Sequence, residues 1–443
     1  MVRVIPFKAY RYNESKVGDL GKVVAPPYDV MKGEKLDAVQ SLSPYNIAWI
    51  TKNKPQQGDA PDNNQYTRAR DLLNRFIDEG VLQQDEKESF YVYGQDFKVD
   101  GQELFRFGFI GLMELQQFAK ESPEQGPFTG VLQHEETLPK DIEDRLNLSR
   151  ETMTQFGQIF VIYPDHEGTV DSILQKAMQK EPLMDVSEGG DVRHRLWTID
   201  DDESIDSISS AMDDRFCIIA DGHHRYKTAL ALKKENPQLD AVRYRMLTFV
   251  NMSNPGLVIL PTHRLVQNIE DFNGQKLIKG MRDNFTVKEL NNKEEMFAEM
   301  DRSFKEKKHA FGLYMNNGRF YSMELIDASP MKELRPEASE ELRSLDVAIL
   351  HSMVLDDILG IDKEKLLHGT MTGGGYVVYI KGIGDAVDES IAAVDEGAQA
   401  VFFMNPTRSE EVEAVSKNFE CMPQKSTFFH PKVWTGFTMN KLK

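Results

Sequence analysis

The chain has 443 residues, of which 40% are hydrophobic and 28% are charged, and its formal net charge at pH 7 is −18. This length allows two or three domains with a sizeable core. The acidic balance argues against broad nucleic-acid binding and against attraction to an anionic membrane surface, although it leaves room for a local basic pocket.

Cysteine usage and the N-terminus indicate the cellular setting. Cys217 and Cys421 are the only two cysteines, and their separation fits no metal-ligand spacing. This excludes a disulfide framework and makes a reducing cytoplasm the expected location. The opening residues MVRVIPFKAYRY lack the apolar stretch of a signal peptide. No segment approaches the roughly 20 apolar residues of a membrane span, so we expect no contact with a membrane.

The first 50 residues predict three short strands. Val2–Phe7 is the first, and Val23–Val30 is a second that ends in a stiff Pro-Pro turn, because neither proline donates an N–H. Ser43–Ile50 turns into the third. Tyr28 and Asp29 follow the two prolines. They could face a pocket and bind substrate from a rigid loop, or they could simply belong to a surface turn.

Two regular elements are predicted next. Apolar residues in Tyr66–Leu82 recur at helical spacing, and Phe90–Phe97 and Leu104–Leu115 alternate as the two strands of a hairpin do. The following stretch is rich in charge. His134 and Glu135 precede a proline there and could supply a general base or a carboxylate ligand for Mg²⁺.

That charged stretch leaves its function open. Its histidine and glutamate do not have the spacing of a zinc protease helix. Asp144 and Arg145 fall on a predicted helix and could contact substrate. The alternative is that a charge-rich segment before a helix is only solvated.

The most informative stretch is 215–230, which reads RFCIIADGHHRYKTAL. Phe216–Ala220 is an apolar run typical of a strand, Asp221 and Gly222 form a turn signal, and Tyr226–Leu232 reads as the start of a helix. We therefore predict strand, tight turn and helix, with the Asp221 carboxylate as the N-cap of the helix.

Basic residues crowd the start of this predicted helix. His223, His224, Arg225 and Lys227 lie at the positive end of the helix dipole, where a cation is disfavoured by up to about 1 kcal/mol. A bound phosphate or carboxylate would remove that cost, since helix N-termini present N–H groups to anions and arginine adds a two-pronged donor. The alternative is a solvated turn with neutral, packed histidines.

The second half of the chain reads as a further α/β region. Tyr244–Val250 and Leu257–Leu265 predict strands, and His263 and Arg264 form part of a polar set near the end of the second, where they could contact phosphate or only form a turn. Helix and strand signals then alternate. We therefore place one domain at residues 1–270 and a C-terminal α/β domain at 271–443.

The last segment, MPQKSTFFHPKVWTGF, is rich in aromatic residues and prolines, so we expect it to pack and to reach back to the core. Lys425, Ser426 and Thr427 offer one cation and two hydroxyl groups that could bind phosphate, and Lys432 offers another cation. Packing into a pocket and packing onto the surface remain alternatives.

The residues Ile219–Ala229, IADGHHRYKTA, resemble the phosphate-binding box of the ParB/sulfiredoxin-like superfamily. In that superfamily a strand runs into a Gly-x-His/Arg-Arg turn and a helix. The box holds nucleotide phosphates in ParB proteins and ATP phosphates in sulfiredoxin, and in free-serine kinases it serves nucleotide-dependent phosphoryl transfer. Sulfinate reduction is not expected here, because His223 stands where sulfiredoxin has cysteine. The acidity also argues against ParB-like DNA clamping.

Several further segments resemble one long bacterial and archaeal family of unknown function. The segments are APPYDV (25–30), HEETLPKDIEDR (134–145), ADGHHRYKTAL (220–230), LVILPTHRL (257–265) and MPQKSTFFHPK (422–432). Together the resemblances imply a mixed α/β fold with a ParB/sulfiredoxin-like core, insertions and a second α/β region.

The leading hypothesis is a nucleotide-dependent phosphotransferase that uses ATP or ADP with Mg²⁺ on a small metabolite. The residues expected to hold the nucleotide are Gly222, His223, His224, Arg225, Thr228, Lys425, Ser426 and Thr427. The expected catalytic residues are Asp221, Glu135, His134 and His223, with Glu135 and Asp221 as Mg²⁺ ligands. The expected substrate-binding residues are Tyr28, Asp29, Asp144, Arg145, His263 and Arg264.

Two other functions stay open. The protein could be a nucleotide- or metabolite-responsive binding module whose second half contacts a partner. It could also be a metal-dependent hydrolase that uses His134, Asp221 and His223. A homodimer is a further possible assembly of the chain.

Overall fold

The computed structural model describes residues 2–118, 130–135, 139–189, 192–366 and 375–443. The chain divides into two compact units, Met1–Val258 with Pro431–Lys443 and Ile259–His430. The second unit is therefore an insertion in the sequence of the first. We expected a boundary near residue 270; the first unit ends at Val258, and the C-terminal residues rejoin it from Pro431 onward.

The first unit is built on a large sheet. The strands of the whole unit, in chain order, are β1 (Val4–Ile5), β2 (Tyr10–Tyr12), β3 (Leu82–Gln84), β4 (Phe90–Val99), β5 (Gln102–Glu114), β6 (Gly130–Leu132), β7 (Thr154–Gln155), β8 (Ile159–Tyr163), β9 (Met184–Glu188), β10 (Val192–Ile199), β11 (Phe216–Asp221), β12 (Tyr244–Asn251) and β21 (Asn440–Lys441). Among the described residues, nine strands form this sheet in the order β6-β11-β8-β12-β5-β4-β10-β9, with β1 on β5.

Helices of the first unit pack on this sheet and against one another. They are α1 (Glu14–Val17), α2 (Gly33–Ser41), α3 (Ala48–Thr51), α4 (Gln65–Asp78), α5 (Pro139–Thr152), α6 (Thr169–Ala177), α7 (Asp202–Asp213) and α8 (His223–Glu235). One core cluster joins the sheet to α6 and α7, and a second joins α2, α3 and α4. Within the described parts of the chain, every helix is too short or too polar to cross a membrane.

Strand β11 adjoins the edge strand β6 of the sheet. It runs parallel to β6 and antiparallel to β8, and Phe216–Ala220 are buried. A strand covered on both faces reads as a continuous apolar run, which is why FCIIA was recognisable in the sequence. The predicted strand, turn and helix at this place are therefore confirmed, as are the α4 helix and the β4–β5 hairpin.

Two predicted N-terminal strands are wrong. Val23–Val30 makes one isolated bridge, at Ala25, and then a 3-10 helix at Tyr28–Val30. Ser43–Ile50 leads into helix α3 instead of a strand. The buried side chain of Asn46 explains both results, because it donates to the carbonyls of Lys22 and Val24 and accepts from the N–H of Ala48.

The second unit has its own sheets. Its strands are β13 (Val258–Leu260), β14 (Thr262–Val266), β15 (Phe285–Leu290), β16 (Ala310–Met315), β17 (Arg319–Leu325), β18 (Val377–Lys381), β19 (Ala400–Met404) and β20 (Phe428–His430). The main sheet has the order β15-β17-β16-β19-β14-β18. The predicted strand Leu257–Leu265 is interrupted at Pro261, which cannot donate a ladder hydrogen bond.

Helices flank this second sheet. They are α9 (Gly274–Met281), α10 (Lys293–Lys305), α11 (Met331–Leu334), α12 (Glu340–Arg343), α13 (Asp346–Ile349), α14 (Ala386–Asp395) and α15 (Ser409–Lys417). A π-helical turn, Leu350–Asp356, follows α13 directly. Helices and strands in both units confirm the mixed α/β class, whereas the ParB/sulfiredoxin-like core stays a prediction.

Candidate functional site

The turn between β11 and α8 depends on Gly222. Its φ of +104° is a left-handed conformation that favours glycine. A Cβ at this position would lie 3.0 Å from guanidinium atoms of Arg225, so the glycine lets Arg225 fold back over the turn. Gly222 is also the N-cap residue of α8 and makes no side-chain cap. The prediction that Asp221 caps this helix is therefore wrong.

Asp221 instead forms a bridge between two cations. One carboxylate oxygen accepts from Nζ of Lys432, and the other accepts from a guanidinium nitrogen of Arg225 at 2.5 Å. Burial by itself raises the pKa of Asp221, but Lys432 and Arg225 outweigh burial and hold that pKa well below its usual range. Asp221 is consequently an anion at any physiological pH.

Two histidines pack together beside this bridge. The rings of His134 and His223 are edge to face with centroids 4.8 Å apart, and both residues are buried. The backbone N–H of His134 points to Nε2 of His223 at 3.4 Å, and Nδ1 of His134 lies 2.6 Å from the carbonyl of Ile219. Burial lowers the pKa of His134 and lowers that of His223 much further, so both rings are neutral at pH 7.

Arg225 forms a pair of neighbouring guanidinium groups with Arg245. Arg245, from strand β12, donates to the carbonyl of Gly157 at 2.5 Å, and Arg225 donates to the carbonyl of Gln158. Arg245 is 7% exposed, and its buried Nε–H has no hydrogen-bond partner among the described residues. Burial, and then the charge of Arg225, lower the pKa of Arg245 to about 9.

Both arginines line one cleft of the first unit. The cleft encloses about 690 Å³, part of it open to solvent. Arg145 is a third cation in its wall, and the hydroxyl groups come from Tyr28, Thr51, Ser149, Thr154, Thr228 and Thr435. The structure thus brings four predicted site residues to one cleft, Tyr28, Arg145, Arg225 and Thr228, whereas Asp29 is exposed.

Tyr28, Arg145 and Asp144 form one connected group, of which Tyr28 and Arg145 line the cleft. The guanidinium of Arg145 lies over the ring of Tyr28, 4.2 Å from its centroid, and Asp144 accepts from Arg145 and from the hydroxyl of Tyr66. Burial raises the pKa of Asp144, but Arg145 more than offsets this, so the pKa is lowered overall. Arg145 also donates to the carbonyl of Thr51 at 2.7 Å, which fixes its position.

The predicted Mg²⁺ ligands do not form a preformed site. Among the described residues, no three or more His, Cys, Asp or Glu side chains could hold one metal ion. Each oxygen of Asp221 already faces a cation, and Glu135 is partly exposed. We therefore assign no protein-only Mg²⁺ site. Residues 136–138 of the charged segment lie outside the described residues.

His224 lies in the first turn of α8 in the first unit, whereas the predicted residues His263, Arg264, Lys425, Ser426 and Thr427 belong to the second unit. Arg264 is buried, and its guanidinium donates to His351 at 3.3 Å and to the carbonyl of Lys425 at 3.1 Å. His263 accepts from the N–H of Met404. The carbonyl of Ser426 accepts from Thr407, and Thr427 adjoins it. These residues are grouped within the second unit, and the box with Arg225 is in the first.

The sequence patterns did not identify Arg245 as a site residue, and they indicated Lys432 only as a further cation near the end of the chain. A signal for Arg245 was present, because one arginine interrupts the apolar strand YRMLTFVN. A buried charge in such a run needs a partner or a ligand. Lys432 gave no comparable signal, since it is 211 residues from Asp221 in the chain.

Residues 4–348 match the model of a family described as "Protein of unknown function (DUF1015)". No curated protein matches the chain. Among solved structures, a conserved hypothetical protein from Pyrococcus furiosus is 14% identical with a TM-score of 0.32, over 70% of this chain and 92% of that chain.

Two other solved structures give similar values. A free serine kinase in complex with AMP is 12% identical with a TM-score of 0.32, over 68% of this chain and 86% of that chain. SbnI with C-terminal truncation, from Staphylococcus aureus, is 9% identical with a TM-score of 0.32, over 68% of this chain and 80% of that chain.

Proposed function

The chain belongs to DUF1015, a family of proteins of unknown function, and we propose that its cleft beside α8 binds the phosphate groups of a nucleotide and supports phosphoryl transfer to a small metabolite. The observation that carries this proposal is the buried guanidinium pair of Arg225 and Arg245. Arg245 has no carboxylate partner among the described residues, and a buried charge without a counterion is costly unless a ligand supplies one.

The residues divide into two groups. Arg225, Arg245 and the first N–H groups of α8 hold the phosphates, because two-pronged donors and a helix N-terminus both favour anions. Tyr28 and Arg145 line the same cleft and offer a flat surface on which a nucleobase can stack. The nucleotide therefore lies along the cleft with its phosphates towards Gly222.

Phosphoryl transfer asks little covalent chemistry of a protein, because positioning and neutralisation of charge dominate. Arg225 and Arg245 supply the neutralisation. Asp221 is too weak a base to remove a proton efficiently, since its pKa is strongly lowered, and both of its oxygens accept from cations, so its role is to hold Arg225 in place. His134 is neutral at pH 7, and either it or Glu135 could accept the proton of the acceptor.

A second function has one observation in its favour. Asp221 is locked between Lys432 and Arg225, which suits a site that binds a phosphate group without chemistry. The chain would then be a nucleotide- or metabolite-responsive binding protein. Stoichiometric binding of nucleotide without turnover across a panel of metabolites would favour this alternative.

The test is calorimetric titration of the full chain with ATP, ADP, CTP and pyrophosphate, with and without Mg²⁺. Arg225→Ala should weaken binding by about 1.5–3 kcal/mol, the scale of a lost charged hydrogen bond. Arg193→Ala is the matched control, because Arg193 is an exposed arginine of the same unit paired with Asp185. Equal affinity of wild type and Arg225→Ala would refute the assignment, and so would the absence of binding by the wild type.

A further inference from the structure

Three charged groups stand in a row at the end of β11. Lys432, Asp221 and Arg225 are joined by two ion pairs, one on each oxygen of the Asp221 carboxylate. The side chains are 18%, 19% and 11% exposed, so water screens these charges only weakly. Taken alone, Asp221 would cancel the charge of Arg225 and leave little attraction for a phosphate.

The backbone around Lys432 is held by buried polar residues of the sheet. The side-chain amide of Gln95 donates to the carbonyl of Lys432 at 3.0 Å, and Arg106 donates to the carbonyl of Pro431. Gln95 and Arg106 are each 1% exposed. Arg106 also donates to Gln95 and lies over the ring of Phe160, so a connected set of buried groups holds the 431–432 backbone.

A third contact fixes the other side of the lysine. The N–H of Trp434 donates to the hydroxyl of Tyr93 at 3.2 Å, and this hydroxyl lies 2.7 Å from Nδ1 of the buried His194. Thr435, one residue further, lines the cleft. Main-chain contacts on both sides of Lys432 therefore set where its side chain starts, and its ammonium group reaches the Asp221 carboxylate.

We infer that Lys432 is a positioning residue of the phosphate site: it compensates the charge of Asp221 and thereby leaves the charge of Arg225 available to a bound phosphate. The inference rests on the proposed function. It requires no contact between Lys432 and the ligand. Asp221 keeps Arg225 in place, Lys432 offsets the electrostatic cost of that carboxylate, and Arg245 adds a second positive charge.

The first test is a double-mutant cycle on pyrophosphate binding, measured by calorimetry with the full chain. Lys432→Met should weaken binding at least tenfold, which is about 1.4 kcal/mol. In the Asp221→Asn background the same change should cost less than about threefold, because the carboxylate that needed compensation is gone. Lys441→Met, in the same C-terminal segment, is the control and should bind as wild type does.

The outcomes of this cycle distinguish a failure of the compensation inference from a failure of the proposed function. If Lys432→Met weakens binding equally in both backgrounds, Lys432 acts by direct contact or through the fold, and the compensation inference is overturned. Unchanged binding by Lys432→Met in the wild-type background overturns it as well. If the wild type binds neither pyrophosphate nor nucleotide, the proposed function fails by itself.

A second measurement decides the inference without ligand. The same four proteins are unfolded with urea, and their midpoints are compared. Lys432→Met should lower the midpoint in the wild-type background by clearly more than it does with Asp221→Asn, because the ion pair exists only in the former. Equal shifts in both backgrounds would show that Asp221 and Lys432 are not coupled and would overturn the inference whatever the ligand does.

Discussion

Arg225 and Arg245 are held by consecutive main-chain carbonyls, those of Gln158 and Gly157. One arginine comes from helix α8 and the other from strand β12, and the short segment before β8 holds both side chains. Like charges repel, and burial increases the cost. The fold therefore fixes two guanidinium groups at the wall of one cleft, and among the described residues only Arg225 has a carboxylate partner, so the charge of Arg245 is available to a phosphate ligand.

Replacement of Arg245 by Met should weaken phosphate binding without harming stability. The guanidinium is buried, no carboxylate among the described residues pairs with it, and apolar replacements of buried charges are neutral or stabilising by about 1–4 kcal/mol. We expect a thermal midpoint equal to or above that of the wild type, and a smaller upward shift on addition of pyrophosphate. Differential scanning fluorimetry measures both quantities.

The control for this exchange is Arg193→Met, which removes an exposed arginine from the same unit. Its pyrophosphate response should match the wild type. A clearly lower midpoint for Arg245→Met in the absence of phosphate would show that Arg245 serves the stability of the fold, and the ligand argument would lose its main support.

Gly222→Ala should disturb the site more than a glycine replacement with the same backbone conformation elsewhere. Gly222 and Gly168 both precede a helix with positive φ, but a Cβ at Gly168 would meet nothing within 4 Å, whereas at Gly222 it would press on Arg225. Both changes should cost about 1 kcal/mol of backbone strain. Only Gly222→Ala should also weaken pyrophosphate binding in calorimetry. Equal effects of the two variants on binding would contradict the crowding of Arg225.

Local patterns predicted much of the fold. The helix α4 has apolar residues at helical spacing and an Asn64 capping box, and the β4–β5 strands alternate, so both could be recognised within a few residues of their observed ends. The strand at Ser43–Ile50 failed because the decisive group is the Asn46 side chain, whose partners at Lys22 and Val24 are distant in sequence. Local propensity carries no information about such a bond.

The central turn of the site was predictable from the sequence, but the distant residues that surround the turn were not. The turn at Gly222 could be read from the sequence because glycine, histidines and Arg225 are adjacent. The role of Asp221 was misread, since a residue before a helix has the usual position of a cap and Lys432 lies far along the chain. Arg245 belongs to a strand whose neighbours in the sheet set its environment, and a single sequence does not show that pairing.

Mild acid should destabilise the protein through its buried histidines. Burial lowers the pKa of four of them below the unfolded value of 6.5; these are His134, His223, His263, whose pKa falls to about 4, and His351. Because the unfolded chain binds more protons than the folded chain below pH 6.5, the stability they contribute is present above that pH and is lost as pH falls. Each contributes a slope of about 1.4 kcal/mol per pH unit within its window.

Urea unfolding at pH 7, 6 and 5 measures how steeply the free energy of unfolding falls with pH. His223→Asn should reduce this slope by about 1.4 kcal/mol per pH unit, which corresponds to one proton. His166→Gln, an exposed site of the same unit, should leave it unchanged. His309 acts in the opposite sense, because its hydrogen bond to the carboxylate of Asp346 raises its pKa, so its contribution is present below pH 6.5 and fades as pH rises. Stability that does not decline towards pH 5 would mean that the four buried rings are not kept neutral.

A chain that ends at His430 should lose the compact first unit. The missing segment contains five large buried side chains, those of Val433, Trp434, Phe437, Met439 and Leu442. Each such side chain contributes about 1.5–3 kcal/mol, so their sum approaches the whole stability of a typical domain, about 5–15 kcal/mol. We expect loss of cooperative unfolding and rapid proteolysis of residues 2–258, whereas deletion of the exposed Lys443 alone should change neither. A truncated chain with the protease resistance of the full one would show that the C-terminal segment only lies on the surface, and Lys432 would then lack the fixed backbone on which its role depends.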